Sequence, residues 1–440
     1  MLKITGYIDR AAQKWVEKWL AEGYITVILG ARQTGKTTLI KKLQGKLKGK
    51  SFYYLLDSAL TSAKIESDPE FLQNDLAMRL GTSIEKFAGE INIFLDEVQK
   101  APSVFEQVKL WHDTYKNKFH IVLSGSASLD IQKKCSESLA GRAQYVYLYP
   151  LTIHEIVKNM FQQDTQSFLS NLDQVNFHDL QQSYASFYPQ KQELNLLFKN
   201  LMVFGLLPGV MTRQENEKFA YLRSIIELYL DKDIRATGMV KELSDFNKLL
   251  EIASYEVGGL INIQNLSRVV NSTAVTLNNH LSILENTFVI NFLEPFVAVR
   301  DRAVKSKKWY FYDVGVPNYL ARRLKFENVY GAKVYGGIWE NILLTSALSI
   351  FKNEVASRNT FFWRNYEGRE IDLVLEKGNE IIPVEITASA VVEKRKIDNL
   401  KFFLEKNAGV KQAFVVYGGD LKEIKISGTH VIFLPWVLWG

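Results

Sequence analysis

Gly30-Ala31-Arg32-Gln33-Thr34-Gly35-Lys36-Thr37 fits the pattern G-x-x-x-x-G-K-[ST] and follows directly on an apolar run, Ile25 to Leu29. Residues of these types at this spacing bind a phosphate chain. The glycines let backbone N–H groups curl around an anion, Lys36 can reach the β- and γ-phosphates, and the Thr37 hydroxyl can ligate Mg²⁺ where the next helix begins. The candidate nucleotide-binding residues are Gly30, Arg32, Gln33, Thr34, Gly35, Lys36, Thr37 and Thr38. A second run, Ile91-Asn92-Ile93-Phe94-Leu95-Asp96-Glu97, reads as a buried strand with two carboxylates at its C-terminal end. Open parallel sheets bind ligands at that end. Asp96 can hold the metal through water, and Glu97 can orient and deprotonate the attacking water. Together the two runs predict phosphoryl transfer to water, with Mg²⁺ as cofactor.

These side chains need a sheet to position them. The strand-like stretches Tyr24–Leu29, Ser51–Leu56, Ile91–Leu95 and His120–Leu123 alternate with helical ones, which predicts a parallel sheet flanked by helices. The last strand runs into Ser124-Gly125-Ser126, where Ser126 can sense the γ-phosphate; a plain strand-to-loop turn is the alternative. Arg142, after Leu139-Ala140-Gly141, can bring a guanidinium to the transferring phosphate of its own or a neighbouring subunit, or can form a surface ion pair. Trp15, Val16, Trp19 and Leu20 have helical spacing and read as a packing stripe or an aromatic stacking platform.

The length of 440 residues suggests roughly three domains. Hydrophobic residues at 47% and charged residues at 23% describe a globular chain. The single cysteine, Cys135, excludes an internal disulfide, and six scattered histidines lack zinc-ligand spacing. Met1 to Arg10 has no apolar signal core and no 18-residue apolar stretch occurs, so a cytoplasmic protein with no membrane partner is expected. A net charge of +6 permits an acidic partner such as nucleic acid.

Phe161 to Gln192 is polar and reads as an insertion or poorly ordered connector, and Leu194 to Asp233 as a helical lid. From Leu243 to Glu294 the pattern is that of a winged helix. Asn265–Val270 forms the first helix of the pair, Asn271-Ser272-Thr273 the turn, and Ala274–Glu285 the second helix. Leu277, Leu281 and Leu284 face the core, leaving Thr273, Val275, Asn278, Asn279 and Ser282 outward. Arg300, Arg302, Lys305, Lys307 and Lys308 make a basic wing suited to a nucleic-acid backbone, with an ordinary solvated charge run as the alternative. The motif can equally be a relay packed on the nucleotide-binding core. Beyond Asp313, Asp372 and Glu385 lie on two strands joined by Lys377-Gly378-Asn379, and Glu340 lies on a preceding helix. The three carboxylates form a candidate second Mg²⁺ site for phosphodiester hydrolysis. A lysine two residues after the second carboxylate is expected in such nucleases, and Thr387 stands there. Lys394 or Lys396 can supply the cation from the next helix.

On the strength of Gly30 to Thr37, Phe94-Leu95-Asp96-Glu97-Val98-Gln99, Leu123 to Ser126, Leu139 to Arg142, Tyr149-Pro150-Leu151, Lys308 to Gly315, Phe362-Trp363-Arg364 and Glu370-Ile371-Asp372, the chain resembles bacterial and archaeal ATP-binding proteins in which an AAA-type ATPase domain precedes a C-terminal domain of unknown function. The resemblance implies an α/β fold: an AAA+/STAND-like P-loop NTPase core (1–160), a polar insertion and helical connector (161–240), a winged helix (241–312) and a restriction-endonuclease-like C-terminal domain (313–440). It implies ATP as the nucleotide. Two departures from the family pattern are Glu385-Ile386-Thr387 in place of Glu-Val-Lys, and Phe204-Gly205-Leu206-Leu207-Pro208 in place of Gly-Gly-x-Pro. The functions in play are an ATPase that couples nucleotide state to the winged-helix and nuclease-like modules on DNA, an ATP-gated Mg²⁺-dependent nuclease, and a slow nucleotide-controlled switch that binds a protein partner. A homo-oligomer is compatible with all three.

Overall fold

The computed structural model describes residues 6–115, 118–126, 134–135, 137–162, 167–229, 234, 243–296, 306–354 and 358–440. The chain forms two compact units, one of Arg10–Leu148 with Asn286–Phe288, the other of Tyr149–Glu285 and Val289–Gly440 with the N-terminal residues up to Asp9.

The unit that begins at Arg10 is built on five parallel strands: β1 (Ile25–Gly30), β2 (Lys50–Leu55), β3 (Ile91–Asp96), β4 (Phe119–Ser126) and β5 (Ala143–Tyr147), in the order β2-β3-β4-β1-β5. Every residue of β1 and β3 is buried, because helices cover both faces of the sheet. Alternation along β1 sends Ile25, Val27 and Leu29 into one core with Trp111, Val108 and Leu72, and Ile28 into the other with Leu39, Ile40 and Val16. The helix Gln13–Ala21 buries Val16, Trp19 and Leu20 in that second core, so the tryptophan stripe packs the sheet and offers no stacking platform.

In the other unit, residues 167–192 are largely helical, where the polar composition suggested an insertion or a poorly ordered connector. Phe177–Ala185 forms a helix capped by the Asn176 side chain, and Phe168, Leu169, Leu172, Leu180 and Phe187 are buried. The polar composition reflects exposed helix faces, with enough apolar side chains between them to anchor the segment. Next come helices Lys191–Phe204, Glu215–Leu228, Leu243–Tyr255, Ile263–Val270 and Ala274–Asn286. Asn271, at a φ of 60°, makes the turn between the last two. Leu277, Leu281 and Leu284 are buried, and Thr273, Val275, Asn278, Asn279 and Ser282 are exposed, in the arrangement that the helical spacing predicts. The antiparallel pair β6 (Ile290–Pro295) and β7 (Lys308–Phe311) follows, and β6 leads into an eight-stranded mixed sheet. That sheet is completed by β8 (Asn359–Arg364), β9 (Glu370–Lys377), β10 (Glu380–Ile386), β11 (Gln412–Tyr417), β12 (Lys422–Ile426) and β13 (Thr429–Pro435), in the order β12-β13-β11-β10-β9-β8-β6-β7. Strands β8, β9 and β10 form an antiparallel meander; the helix Lys394–Lys406 then crosses to β11, parallel to β10. No described helix is long and apolar enough to cross a membrane.

Asp313, just after β7, ties that strand to the segment that follows the helix Lys191–Phe204. Its carboxylate accepts the N–H groups of Leu206 at 2.6 Å and Gly315 at 2.9 Å, and a Cβ on Gly205 would fall 2.0 Å from it, which is why glycine stands at that left-handed position (φ 77°). Burial pushes the Asp313 carboxyl up to about 6 from its ordinary 3.8, against the pull of those N–H groups. An acid raised in the folded state stabilises the fold below its unfolded value and loses that contribution as pH rises through the folded one. Relative to Asp313→Asn, the wild type should therefore lose about 2 kcal/mol between pH 4 and pH 7. Urea unfolding of both proteins across that range measures the loss, and parallel curves would contradict it.

Candidate functional site

The strand tips bring the predicted nucleotide residues together. In the register of the sheet Gly30 lies beside Ser126, and Leu95, next to Asp96, lies beside Leu123. The helix Lys36–Gln44 starts at Gly35, which takes a left-handed φ of 96° and has no side chain to cap the first turn. The first N–H groups of the helix thus point toward the loop that precedes it. A Cβ on Gly30 would fall 2.2 Å from the Leu148 carbonyl oxygen, so this glycine serves close packing of the strand end. The loop is braced from within. The Thr34 hydroxyl donates to the Ala31 carbonyl at 2.9 Å, the buried Arg10 guanidinium donates to the Thr34 carbonyl at 2.6 Å, and Gln33 adopts a φ of 65°. The Lys36 ammonium, 5% exposed, donates to the carbonyls of Gly30 and Ala31 at 2.9 Å each, which keeps its charge inside the loop. Arg32 lies on the half-buried part of the loop and Thr38 on the exposed side of the helix.

Asp96 is fully buried at the tip of β3. Its Oδ2 accepts the Thr37 hydroxyl at 2.7 Å and the Tyr53 hydroxyl at 2.8 Å, and its Oδ1 accepts the Ser124 hydroxyl. Burial and the bond to Asp96 together push the Tyr53 phenol upward, so it remains a donor. Glu97 follows at a φ of 61°, a conformation that costs a non-glycine residue on the order of 1–3 kcal/mol and clusters at functional sites. It turns the carboxylate away from the strand. Glu97 Oε2 then accepts from Gln99 Nε2 at 2.5 Å and from the Ser126 hydroxyl at 3.3 Å. A hydroxyl and a carboxylate side by side, with the lysine and the uncapped helix start, form an oxygen donor set of the kind that holds Mg²⁺ beside a triphosphate. The residues fit the group.

Arg142 is not part of this cluster within one chain. Its carbonyl accepts the N–H of Ile25, the first residue of β1, so it lies at the end of the sheet opposite Gly30. Its guanidinium is clamped on Asp113 at 2.6 and 2.9 Å and holds that carboxyl down at about 2. The surface ion pair, one of the two readings of the sequence, is the arrangement adopted.

The second cluster lies in the other unit. Asp372 on β9 stands next to Glu385 on β10, one step beyond the paired residues Leu373 and Val384. Asn341 clips the helix Tyr335–Phe351 to β7 by exchanging hydrogen bonds with both backbone groups of Phe311, which points Glu340 at Lys308 and Tyr310. Lys396 donates to Asp372 at 2.6 Å and to Glu385 at 3.0 Å, while Lys308 bonds Glu370 and lies 3.6 Å from Glu340. Burial and the neighbouring Asp372 carboxylate push Glu385 well above its ordinary range. Burial would raise Asp372 too, but Lys396 and Lys308 outweigh it and keep Asp372 ionised. The expected magnesium triad of Glu340, Asp372 and Glu385 is thus gathered around lysine ammonium groups. Among the described residues no group of three or more His, Cys, Asp or Glu side chains is arranged to hold a metal ion.

The basic wing also changes. Lys308 is 2% exposed and buried against carboxylates, and Lys307 pairs with Glu294 at 2.5 Å. Lys308 opens β7 and faces inward, whereas Lys307 precedes the strand and keeps its ion pair at the surface, so one of the five expected wing cations is engaged internally. Arg300, Arg302 and Lys305 lie outside the described residues.

Residues 22–157 match the family model described as an AAA domain. The chain carries an AAA domain. Residues 195–327 and 335–437 match two domains of unknown function, DUF8612 and DUF4143. Uncharacterised proteins of Mycobacterium tuberculosis and Mycobacterium bovis are each 25% identical over 373 residues, spanning 84% of this chain and 70% of theirs. Among solved structures, the Walker-type ATPase paby2304 of Pyrococcus abyssi is similar at 14% identity and a TM-score of 0.45, over 71% of this chain and 96% of that one. A signal transduction ATPase with numerous domains (STAND) from Pyrococcus horikoshii gives 14% identity and a TM-score of 0.27, over 80% of this chain and 48% of that one. Both scores are too low to carry a conclusion.

Around this site, sequence reasoning missed Arg10, Tyr53 and the contact of Gln99 with Glu97, while Ser124 was named only as one of the hydroxyls that follow β4's apolar run. Tyr53 carried a usable signal, since it lies on a strand neighbouring β3 in a parallel sheet. Arg10 had none, being 24 residues from the carbonyl that it braces. In the second cluster Lys308, Tyr310 and Glu370 were missed, and Lys396 was one of two lysines considered. Removing a cation from a buried pair leaves an uncompensated charge. Lys396→Met should therefore destabilise its unit by about 3 kcal/mol in urea unfolding followed by tryptophan fluorescence, with the exposed Lys394→Met within about 0.5 kcal/mol of wild type. Equal midpoints for the two variants would contradict the pairing.

Proposed function

We propose that the protein hydrolyses ATP to ADP and phosphate at the AAA domain and transmits nucleotide state to the helix-turn-helix and C-terminal sheet, acting on DNA. The observation that carries the reading is the 2.7 Å bond between Thr37 and Asp96, which joins the phosphate-binding helix to the strand whose next residue is Glu97. Lys36 and the backbone of Gly30 to Thr38 would hold the triphosphate, and Thr37 and Asp96 would hold the magnesium. When bound, Mg²⁺ offsets the charge of the phosphate oxygens. Glu97 orients a water and takes its proton as the water oxygen attacks the γ-phosphorus, and the bond to the β–γ bridging oxygen breaks to release ADP. Ser126 would sense the γ-phosphate, a role that its place beside Gly30 in the sheet supports.

Lys36→Ala should abolish nucleotide binding, measured by calorimetry with ATP and magnesium. Glu97→Gln should bind ATP and hydrolyse it at least about 100-fold more slowly. Normal turnover in Glu97→Gln would remove the base assignment.

We read the winged helix as the DNA-facing element and the C-terminal module as a salt-linked scaffold of restriction-endonuclease-like topology. The meander β8-β9-β10, the crossing helix and parallel β11 support that topology, while Thr387 and the lysine-filled carboxylate cluster favour an inactive form. A second reading, a nucleotide-controlled protein-binding switch, gains from the outward face of Ala274–Asn286, which carries no cation, and from the burial of Lys308 within the fold. ATP turnover with and without single- and double-stranded DNA, at two salt concentrations, separates them. Salt-sensitive stimulation supports action on DNA, and none supports the switch. Mg²⁺-dependent cleavage lost in Asp372→Ala would revive a nuclease, with Lys396 as its cation.

A further inference from the structure

We infer that Gln99 is a positioning residue for ATP hydrolysis, setting which oxygen of Glu97 is left to take the proton from water. The inference rests on the reading of Glu97 as the general base. Val98 to Lys100 is a single tight turn of helix, entered through the left-handed Glu97 and anchored by the fully buried Val98, so the side chains of residues 97 and 99 return to the same side. Gln99 Nε2 donates both to Glu97 Oε2 at 2.5 Å and to the Ser126 hydroxyl at 2.9 Å. Ser126 donates to that same Oε2 from its hydroxyl at 3.3 Å and its backbone N–H at 3.5 Å. Three donors thus converge on one carboxylate oxygen.

The other end of the amide fixes its orientation. Gln99 Oε1 is buried and has no hydrogen-bond partner among the described residues. Turning the amide over would set that oxygen against the Glu97 carboxylate, where two acceptors repel, so the unpaired carbonyl is tolerated to keep the N–H groups on Glu97 and Ser126. The consequence concerns the moment at which Ser126 meets a phosphate. Its hydroxyl has one proton; given to a phosphate oxygen, it is withdrawn from Glu97. Gln99 brings two N–H groups on a tether of its own and keeps Oε2 fixed through that exchange, leaving Oε1 as the basic atom. The residue acts through Glu97 and touches no reacting atom itself.

The full-length protein tests this with Gln99→Met, which preserves length and volume and removes the donors. Steady-state ATP turnover should show kcat reduced about 10- to 100-fold with KM within about twofold of wild type, because orientation of the base is lost while the triphosphate site is untouched. Gln99→Glu, which sets a second carboxylate against Glu97, should fall at least as far. The double variant Glu97→Gln/Gln99→Met should turn over no more slowly than Glu97→Gln alone, since Gln99 works through Glu97. Wild-type kcat in Gln99→Met, or a further multiplicative loss in the double variant, would overturn the role given to Gln99 and leave the base assignment standing. A Glu97→Gln protein with normal turnover would instead overturn the base assignment, and the role of Gln99 with it.

Discussion

One buried carboxylate organises the nucleotide end of the sheet. Asp96 is fully enclosed, and an enclosed charge is tolerated only when its oxygens are satisfied. Its partners are three hydroxyls from three separate elements: Tyr53 on β2, Ser124 on β4 and Thr37 on the phosphate-binding helix. Hydroxyls are neutral donors that can rotate, so they stabilise the anion without cancelling its charge. The carboxylate stays available to a cation while the strand tips on either side are held in register. Had a lysine or arginine made these contacts, the same strands would be tied but the negative charge would be lost to the site.

The C-terminal cluster is the contrasting solution. Four carboxylates, Glu340, Glu370, Asp372 and Glu385, are compensated by Lys308, Lys396 and Arg364. Such a group holds the helix Tyr335–Phe351, β7, β9, β10 and the helix Lys394–Lys406 together, with a cation beside each carboxylate. Both clusters begin from acidic residues at strand positions, yet one is met by neutral hydroxyls and the other by cations. The difference lies in the donors supplied by the neighbouring elements.

That difference also marks what could be read from the chain alone. The parallel sheet was legible because its strands are short unbroken apolar runs, and the loop after β1 because glycines and a lysine at fixed spacing have few other uses. The packing of Ala274–Asn286 was legible from leucine spacing. Lys308 was not, because in sequence it closes a run of cations; only the pairing of β7 with β6 shows that it faces inward. The polar stretch 161–192 misled in the same way. Composition averages over a helix's exposed side, whereas the few residues that anchor it, Leu180 and Phe187 among them, decide whether it is ordered.

Thr387 carries the point furthest. A linear motif fixes the interval between a carboxylate and its lysine because both lie on one strand, where residues two apart share a face. Lys396 reaches Asp372 and Glu385 from the next helix, 11 positions beyond Glu385, and delivers an ammonium to the same oxygens. What the chemistry requires is the cation's position in space, and a helix packed across β9 and β10 can supply it as well as the strand can. A lysine held this way donates to both acids at once and is 21% exposed, so it is placed to neutralise them before it is placed to meet a phosphate. With Thr387 on the strand and Lys396 on the helix, the carboxylates are satisfied within the fold.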